Sequence, residues 1–312
     1  MNFQMHSMSA SYGQVVGTGL VALDRIHVDE QEPLFEELGG SCGNVLISLA
    51  MLGRSVIPLL RLGTDRVGER LERDLRLAGA DTKLVWLDEE IRTPVIVEML
   101  DLASSDHSFS FVCPHSFERF GGFEPITLRE LEPARPAVSS CAVFYADRVS
   151  AAICDAMEAA ADGGAIVHFE PSSISDPDLF ERALSAAHIF KYSADRLDPD
   201  VAERLRPEAF SIVTAGRFGL EVRHDGAAYR CEAIDAGVVK DTCGAGDMVT
   251  LGLIDAIIQA GVRGSEGLSL PIVLSGVKSG QRLAAANCAY IGARGLFRER
   301  GPQHARTILA AF

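Results

Sequence analysis

The chain has 312 residues, 47% of them hydrophobic and 23% charged, which is enough to bury a core without disulfide or metal support. A formal net charge of -14 argues against nucleic acid as a partner, because phosphate backbones are held by basic surface. No apolar run approaches membrane-spanning length, residues 1–14 are too polar for a signal peptide, and seven scattered cysteines without Cys-x-x-Cys pairing read as reduced thiols. A soluble, cytoplasmic protein with no membrane partner is expected.

In chain order, Val15-Val16-Gly17-Thr18-Gly19 reads as a short buried strand ending at glycines. Asp24 lies just beyond it, where open α/β sheets bind ligands. From position alone, an acid for hydroxyl groups and a solvated turn aspartate fit equally well. Gly39-Gly40-Ser41-Cys42-Gly43-Asn44 then leads into an apolar helix that stops at Gly53. Gly39 and Gly40 let a ligand approach the backbone, and Asn44 offers a donor and an acceptor, although a bond across its own turn would use the amide too. Residues 55–62 read as a strand, and Gly63-Thr64-Asp65-Arg66-Val67-Gly68 opens the next helix with Asp65 capping the turn. Residues 25–38 and 93–113 depart from this pattern. Their extended and alternating runs, such as Val95-Ile96-Val97-Glu98-Met99, predict half-exposed strands in a small separate sheet. An exposed β surface invites pairing between copies, hence a homodimer through these segments.

From residue 137 strands alternate with helices, which predicts an α/β fold with a doubly wound, mostly parallel sheet. One domain over residues 1–312 is expected, with the two extended segments inserted. A strand over 211–214 ends in Thr214-Ala215-Gly216-Arg217-Phe218-Gly219, and a hairpin follows around His224-Asp225-Gly226. The apolar run Ala236-Gly237-Val238-Val239 reads as a strand leading into Asp241-Thr242-Cys243-Gly244-Ala245-Gly246-Asp247 and then a helix over 248–258. The first turn of a helix has N–H groups without partners and the positive end of the macrodipole. Gly244, Ala245 and Gly246 leave an anion room to reach those groups. Asp247 then sets a carboxylate beside the anion, the pair needed to pass a phosphoryl group to a hydroxyl. A helix-capping acid without chemistry is the plain alternative. A glycine- and serine-rich loop over 260–275 and a helix over 283–291, containing Asn287, complete the pattern.

The string from Asp241 to Asp247 resembles the Asp-Thr-x-Gly-Ala-Gly-Asp signature of the ribokinase-like (PfkB) carbohydrate kinases. Gly39 to Asn44 resembles the family's Gly-Gly-x-x-x-Asn motif, in the expected order, and the resemblance runs over residues 15–295. It implies an ATP-dependent kinase that passes the γ-phosphate to a hydroxyl of a small sugar, with Mg2+ and with residues 25–38 and 93–113 as a lid that excludes water. It implies Asp247 as catalytic base and Gly244, Ala245 and Gly246 as anion hole. Sugar contacts would come from Asp24, Gly39, Gly40 and Asn44, and nucleotide contacts from Thr214, Gly216, Gly219 and Asn287. A monovalent cation such as K+ is implied beside Asp241, and magnesium reached through water from Glu170. Glu170-Pro171-Ser172 stands where the family has Asp-Pro-Asn. Ser193-Ala194-Asp195-Arg196 replaces Asn-x-x-Glu, losing the amide and the acid. A kinase for a nucleoside or another small alcohol stays open, as does a ligand-binding relative without turnover. A dinucleotide-dependent oxidoreductase would need a Gly-x-Gly-x-x-Gly turn that no strand here leads into.

Overall fold

The computed structural model describes residues 13–28, 32–102, 106–262 and 264–311. Strand β1 (Val15–Thr18) leads to β2 (Ala22–His27) and β3 (Phe35–Gly39), then to helix α1 (Ser41–Met51). Strands β4 (Val56–Pro58) and β5 (Leu60–Gly63) precede α2 (Arg66–Ala78), and β6 (Val85–Asp88), β7 (Val95–Asp101) and β8 (Asp106–Ser110) follow it. The second half alternates: α3 (Leu128–Ser140), β9 (Val143–Ala146), α4 (Ala151–Asp162), β10 (Ile166–Phe169), α5 (Pro177–Ala186) and β11 (Ile189–Ser193). Strand β12 (Phe210–Thr214) then opens into the hairpin β13 (Leu220–His224) and β14 (Ala227–Cys231), followed by α6 (Ala245–Gln259), α7 (Leu270–Asn287) and α8 (Gly295–Ala310).

Eight strands form the large sheet in the order β14-β13-β12-β11-β10-β9-β1-β4. From β4 to β12 every pairing is parallel, and only the terminal hairpin is antiparallel. The strands at the centre, β1, β9 and β10, are buried throughout, because helices cover both faces. A second sheet, β3-β2-β7-β8, stands apart. The α/β, doubly wound architecture with a small extra sheet is therefore as the sequence predicts.

Three local expectations are corrected by packing. The small sheet starts at Ala22, so Asp24 is a strand residue and not a turn residue. Strand β2 is buried on both faces, which hides the alternation that marks a half-exposed strand. The run over 55–62 splits in two at Leu59: β4 ends on the edge of the large sheet, and β5 pairs with β6 in a sheet of its own. Residues 236–239 form no strand; Gly237 sits at φ 64° and Val238 is 67% exposed.

The largest correction lies in α7, which starts at Leu270 with Pro271 in its first turn and ends at Asn287. The helix takes in the end of the expected 260–275 loop and carries Gly276 and Gly280, each of which costs about 1 kcal/mol in a helix. Their purpose is close approach. A Cβ on Gly280 would lie 2.5 Å from Val249 Cα, and one on Gly252 would lie 2.4 Å from the Gly280 nitrogen. Backbone meets backbone where α6 crosses α7, which fixes the helix that carries Asp247. Gly280→Ala is expected to lower stability by about 1–3 kcal/mol through overpacking, despite the better helix propensity of alanine. Urea unfolding would show a lower midpoint at unchanged slope; an unchanged midpoint would mean the crossing has slack.

Candidate active site

The parallel strands deliver their polar residues to one edge. Asp147 follows β9, Glu170 follows β10, Lys191 lies inside β11 and Thr214 ends β12. This carboxyl edge is where open α/β sheets hold ligands. Asp147 is fully buried and takes the N–H groups of Leu20 (2.9 Å) and Cys42 (3.0 Å) and the Ser41 hydroxyl. It thereby ties the turn after β1 to the start of α1. Lys191, also buried, pairs with Glu170, whose other oxygen accepts the Thr250 hydroxyl. His168, behind them, has its pKa lowered to about 3 by burial and by Lys191, so it stays neutral.

Helix α6 begins beside that pair. Gly244 caps it at φ 72°, and a side chain there would strike Ala293 at 2.6 Å. The Ala245 N–H returns to the Thr242 carbonyl at 3.2 Å, and no side chain caps the turn. The turn is half-buried and the positive end of the helix dipole lies there, which suits an anion. The Lys191 ammonium lies 3.6 Å from the position a Cβ on Gly246 would take, so its charge adds to that of the helix end. Asp247, in the first turn, accepts from Asn44 Nδ2 at 2.8 Å. Burial, and next the Glu170 charge, push the Asp247 carboxyl up to about 7, against the pull of Asn44 and Lys191. A carboxyl with that affinity for protons, close to uncapped N–H groups, is equipped to take a proton from a hydroxyl.

The small sheet turns a polar face toward this edge. Asp24 on β2 and Glu37 on β3 are directly opposed in register. Gly39 gives the Asp24 carboxylate its room, since a Cβ there would lie 1.7 Å from Asp24 Oδ2. Burial, followed by the Glu37 charge, raises Asp24 to about 7, with Arg294 and the Gly40 N–H acting the other way. Its Oδ1 has no hydrogen-bond partner among the described residues. Arg294 is buried, donates to Asn44 Oδ1 at 3.4 Å and to the Leu38 carbonyl, and lies 3.6 Å from Glu37. Asp24, Gly39, Gly40, Asn44 and Asp247 are thus brought to one place, with Arg294 joining them.

The residues expected at the nucleotide divide. Thr214 donates to the Tyr192 carbonyl at 3.3 Å, and Gly216, at φ 52°, opens to empty space. Gly219 serves packing, since a Cβ on it would lie 2.2 Å from the Cys231 carbonyl oxygen. Asn287 does not face a cleft. It is buried, donates to the carbonyls of Gly292 (3.3 Å) and Ala293 (3.2 Å), and accepts the Leu296 N–H at 2.9 Å. Its amide is spent on the loop that backs Gly244, and it is not carried forward as a nucleotide contact. Asp241 likewise binds two loops together, accepting N–H groups from Cys243 (2.8 Å) and Gly292 (2.7 Å). Asp195 and Arg196 are exposed. Sequence reasoning missed Asp147, Lys191 and Arg294. A lysine inside the apolar strand Ile189-Phe190-Lys191-Tyr192 was the one available signal.

A model of the pfkB family of carbohydrate kinases matches residues 9–298. The chain belongs to this family. As a pfkB kinase it is a phosphotransferase acting on a sugar hydroxyl. The fructokinase of Klebsiella pneumoniae is 26% identical over 254 residues, spanning 75% of this chain and 81% of that one. Among solved structures, the fructokinase of Xylella fastidiosa with bound ATP superposes with a TM-score of 0.78 at 19% identity, covering 96% of this kinase and all of its own chain (100%). The aminoimidazole riboside kinase of Salmonella enterica, complexed with aminoimidazole riboside and an ATP analog, gives 0.74 at 18% identity, covering 95% and 100%.

Three acids of this kinase hold protons tightly: Asp24 and Asp247 at about 7, and Glu98 at about 8 through burial and the charges of Asp241 and Asp24. Each binds its proton more tightly folded than unfolded. The stability this gives is complete below the unfolded carboxyl pKa of about 4 and is lost as pH rises toward 7–8. Glu98→Gln, which keeps a neutral side chain at every pH, should gain stability relative to the parent between about pH 5 and about pH 9. Urea unfolding at both pH values checks this; a constant difference between the two proteins would refute it.

Proposed function

We propose that the chain transfers the γ-phosphate of ATP to a hydroxyl of a small sugar of the fructose or ribose kind, with Asp247 as the base. The observation that carries this reading is the placement of Asp247 beside the uncapped α6 N-terminus, held by Asn44 from a helix on the other side of the site. The fructokinase relatives support the choice of sugar. The acceptor hydroxyl would approach between the small sheet and α1, where the buried Asp24 and Asn44 offer hydrogen bonds to sugar hydroxyls. Asp247 takes the hydroxyl proton as the oxygen attacks phosphorus. The N–H groups of residues 244–247 and the Lys191 ammonium stabilise the charge that gathers on the transferring phosphoryl oxygens. Lys191 reaches this place from β11, so a cation stands close to the lost Asn-x-x-Glu motif.

ATP fits the open ground at Gly216 and the uncapped helix end. Magnesium would neutralise phosphate charge when bound. Glu170 suits only a magnesium-bound water, since its oxygens already serve Lys191 and Thr250. For Asp241, a monovalent cation on the two loops it joins is part of the same reading. A cytoplasmic location is proposed with it; among the described residues no helix is long and apolar enough to cross a membrane. Exposed Phe109 and Phe111 at the outer strand β8 support a homodimer through the small sheet.

A panel of ketoses, pentoses and nucleosides with Mg-ATP identifies the acceptor. On the best one, Asp247→Asn should keep the melting temperature and lower kcat about 10²–10⁴-fold. The parent's kcat/KM should rise with pH and level off above about 7, where Asp247 is ionised. Near-normal turnover by the Asn variant would overturn the assignment of the base.

A further inference from the structure

Among the described residues, Glu98 is the carboxyl with both oxygens buried and unpartnered. It lies on β7, is 1% exposed, and neither carboxylate oxygen has a hydrogen-bond partner among the described residues. The Cys243 thiol, a weak donor, is the neighbour that steadies its charge. An isolated buried carboxylate is costly and calls for a cation or donors that the chain itself does not supply. Two further groups converge on it. His107, from β8, lies with Nδ1 3.6 Å from Asp241 Oδ1, too far for a hydrogen bond, and that nitrogen is also unpartnered. Ligand atoms of Glu98, His107 and Asp241 all lie within 4.8 Å of one another.

We propose that Glu98, His107 and Asp241 form a site for a divalent transition-metal ion, of the Zn2+ or Mn2+ class, that latches the small sheet onto the loop leading into α6. The donor set decides the class. One imidazole and two carboxylates suit zinc and its first-row neighbours, whereas alkali ions take oxygen donors alone. An ion with bonds of about 2.0–2.2 Å draws its donors to roughly 3–4 Å from one another, so the three side chains need close by only about an ångström. The monovalent ion implied for Asp241 concerns the loops at residues 243 and 292; the imidazole and second carboxylate come from the opposite side, on strands of the small sheet. Because two ligands belong to that sheet and the third to the loop before Gly244, the ion would hold the sheet down over the site. The binding claim stands without the kinase reading; only the consequence for closure rests on it.

The test uses full-length protein stripped with a chelator and free of nucleotide and sugar, titrated calorimetrically with Mn2+ and followed by visible absorption with Co2+. One ion per chain is expected, with affinity lowered at least about tenfold in Glu98→Gln and in His107→Gln, since each removes one of three ligands. Hydrogen exchange in β7 and β8 should slow when Mn2+ is added. The melting temperatures of both variants confirm folding, and His107, only partly buried, serves if Glu98→Gln misfolds. Absence of binding, binding unchanged in both variants, or a Co2+–thiolate absorption band assigning the ion to a cysteine would each overturn the proposal. So would a Glu98→Gln effect confined to the KM for sugar, which would make Glu98 a substrate contact.

Discussion

The hydrogen bond from Asn44 to Asp247 joins the starts of two helices 203 residues apart in the chain, and the rest of the site depends on it. A carboxylate in the first turn of α6 gains from the helix dipole but loses water, and Glu170 nearby repels it. A neutral amide is the partner that orients such a group without neutralising it. A lysine or arginine in the place of Asn44 would hold the carboxylate ionised and spoil it as a proton acceptor near neutral pH. The cation that is present, Lys191, is paired with Glu170, whose repulsion outweighs the pull of Lys191, so Asp247 keeps its high affinity for protons. Arg294 completes the arrangement by fixing the other end of the Asn44 amide, which sets which end donates to Asp247.

Holding that bond in place is a task for backbone packing. Helix α6 is held at three places: by Ala293 against Gly244 and Lys191 against Gly246 at its N-terminus, and by α7 against Gly252 at its middle. None of these contacts leaves space for a Cβ at its usual distance without movement of a neighbour, apart from the looser one at Gly246. Asn287 and Asp241 support the first contact from behind by organising residues 292–296. Asn287, which looked like a ligand contact in the sequence, thus acts one step back, as a support for the turn that would meet the ligand.

What was legible in the sequence follows from where chemistry needs a fixed string. Small-residue turns at helix starts tolerate few substitutions, so Gly39 to Asn44 and Asp241 to Asp247 announce themselves. The alternating second half likewise betrays a parallel sheet. Residues that act across the fold leave no such string. Lys191 sits in an apolar strand, and only the meeting of β11 with α6 gives it a purpose. Glu98 and His107 meet through the register of β7 with β8, which no local pattern fixes. Val238 and Val239 have strand-like composition but lie outside every strand. The start of α7 was hidden in the expected 260–275 loop, because propensity counts the isolated helix and not the neighbour that packs on it.

The division between the two sheets gives the fold its logic. Groups suited to an anion stand on the carboxyl edge of the large sheet, while Asp24, Glu37 and Glu98 stand on the small one. The chain enters the small sheet from β1 through residues 19–21, and at the end of β3 it leaves through residue 40 into α1. Both crossings are held by the single carboxylate of Asp147, through Leu20 on one side and Ser41 and Cys42 on the other. Breaking those bonds inside a buried pocket would cost about 1–3 kcal/mol each, so Asp147 fixes the end of the β2–β3 pair near Asp24 to the turn after β1 and to the start of α1.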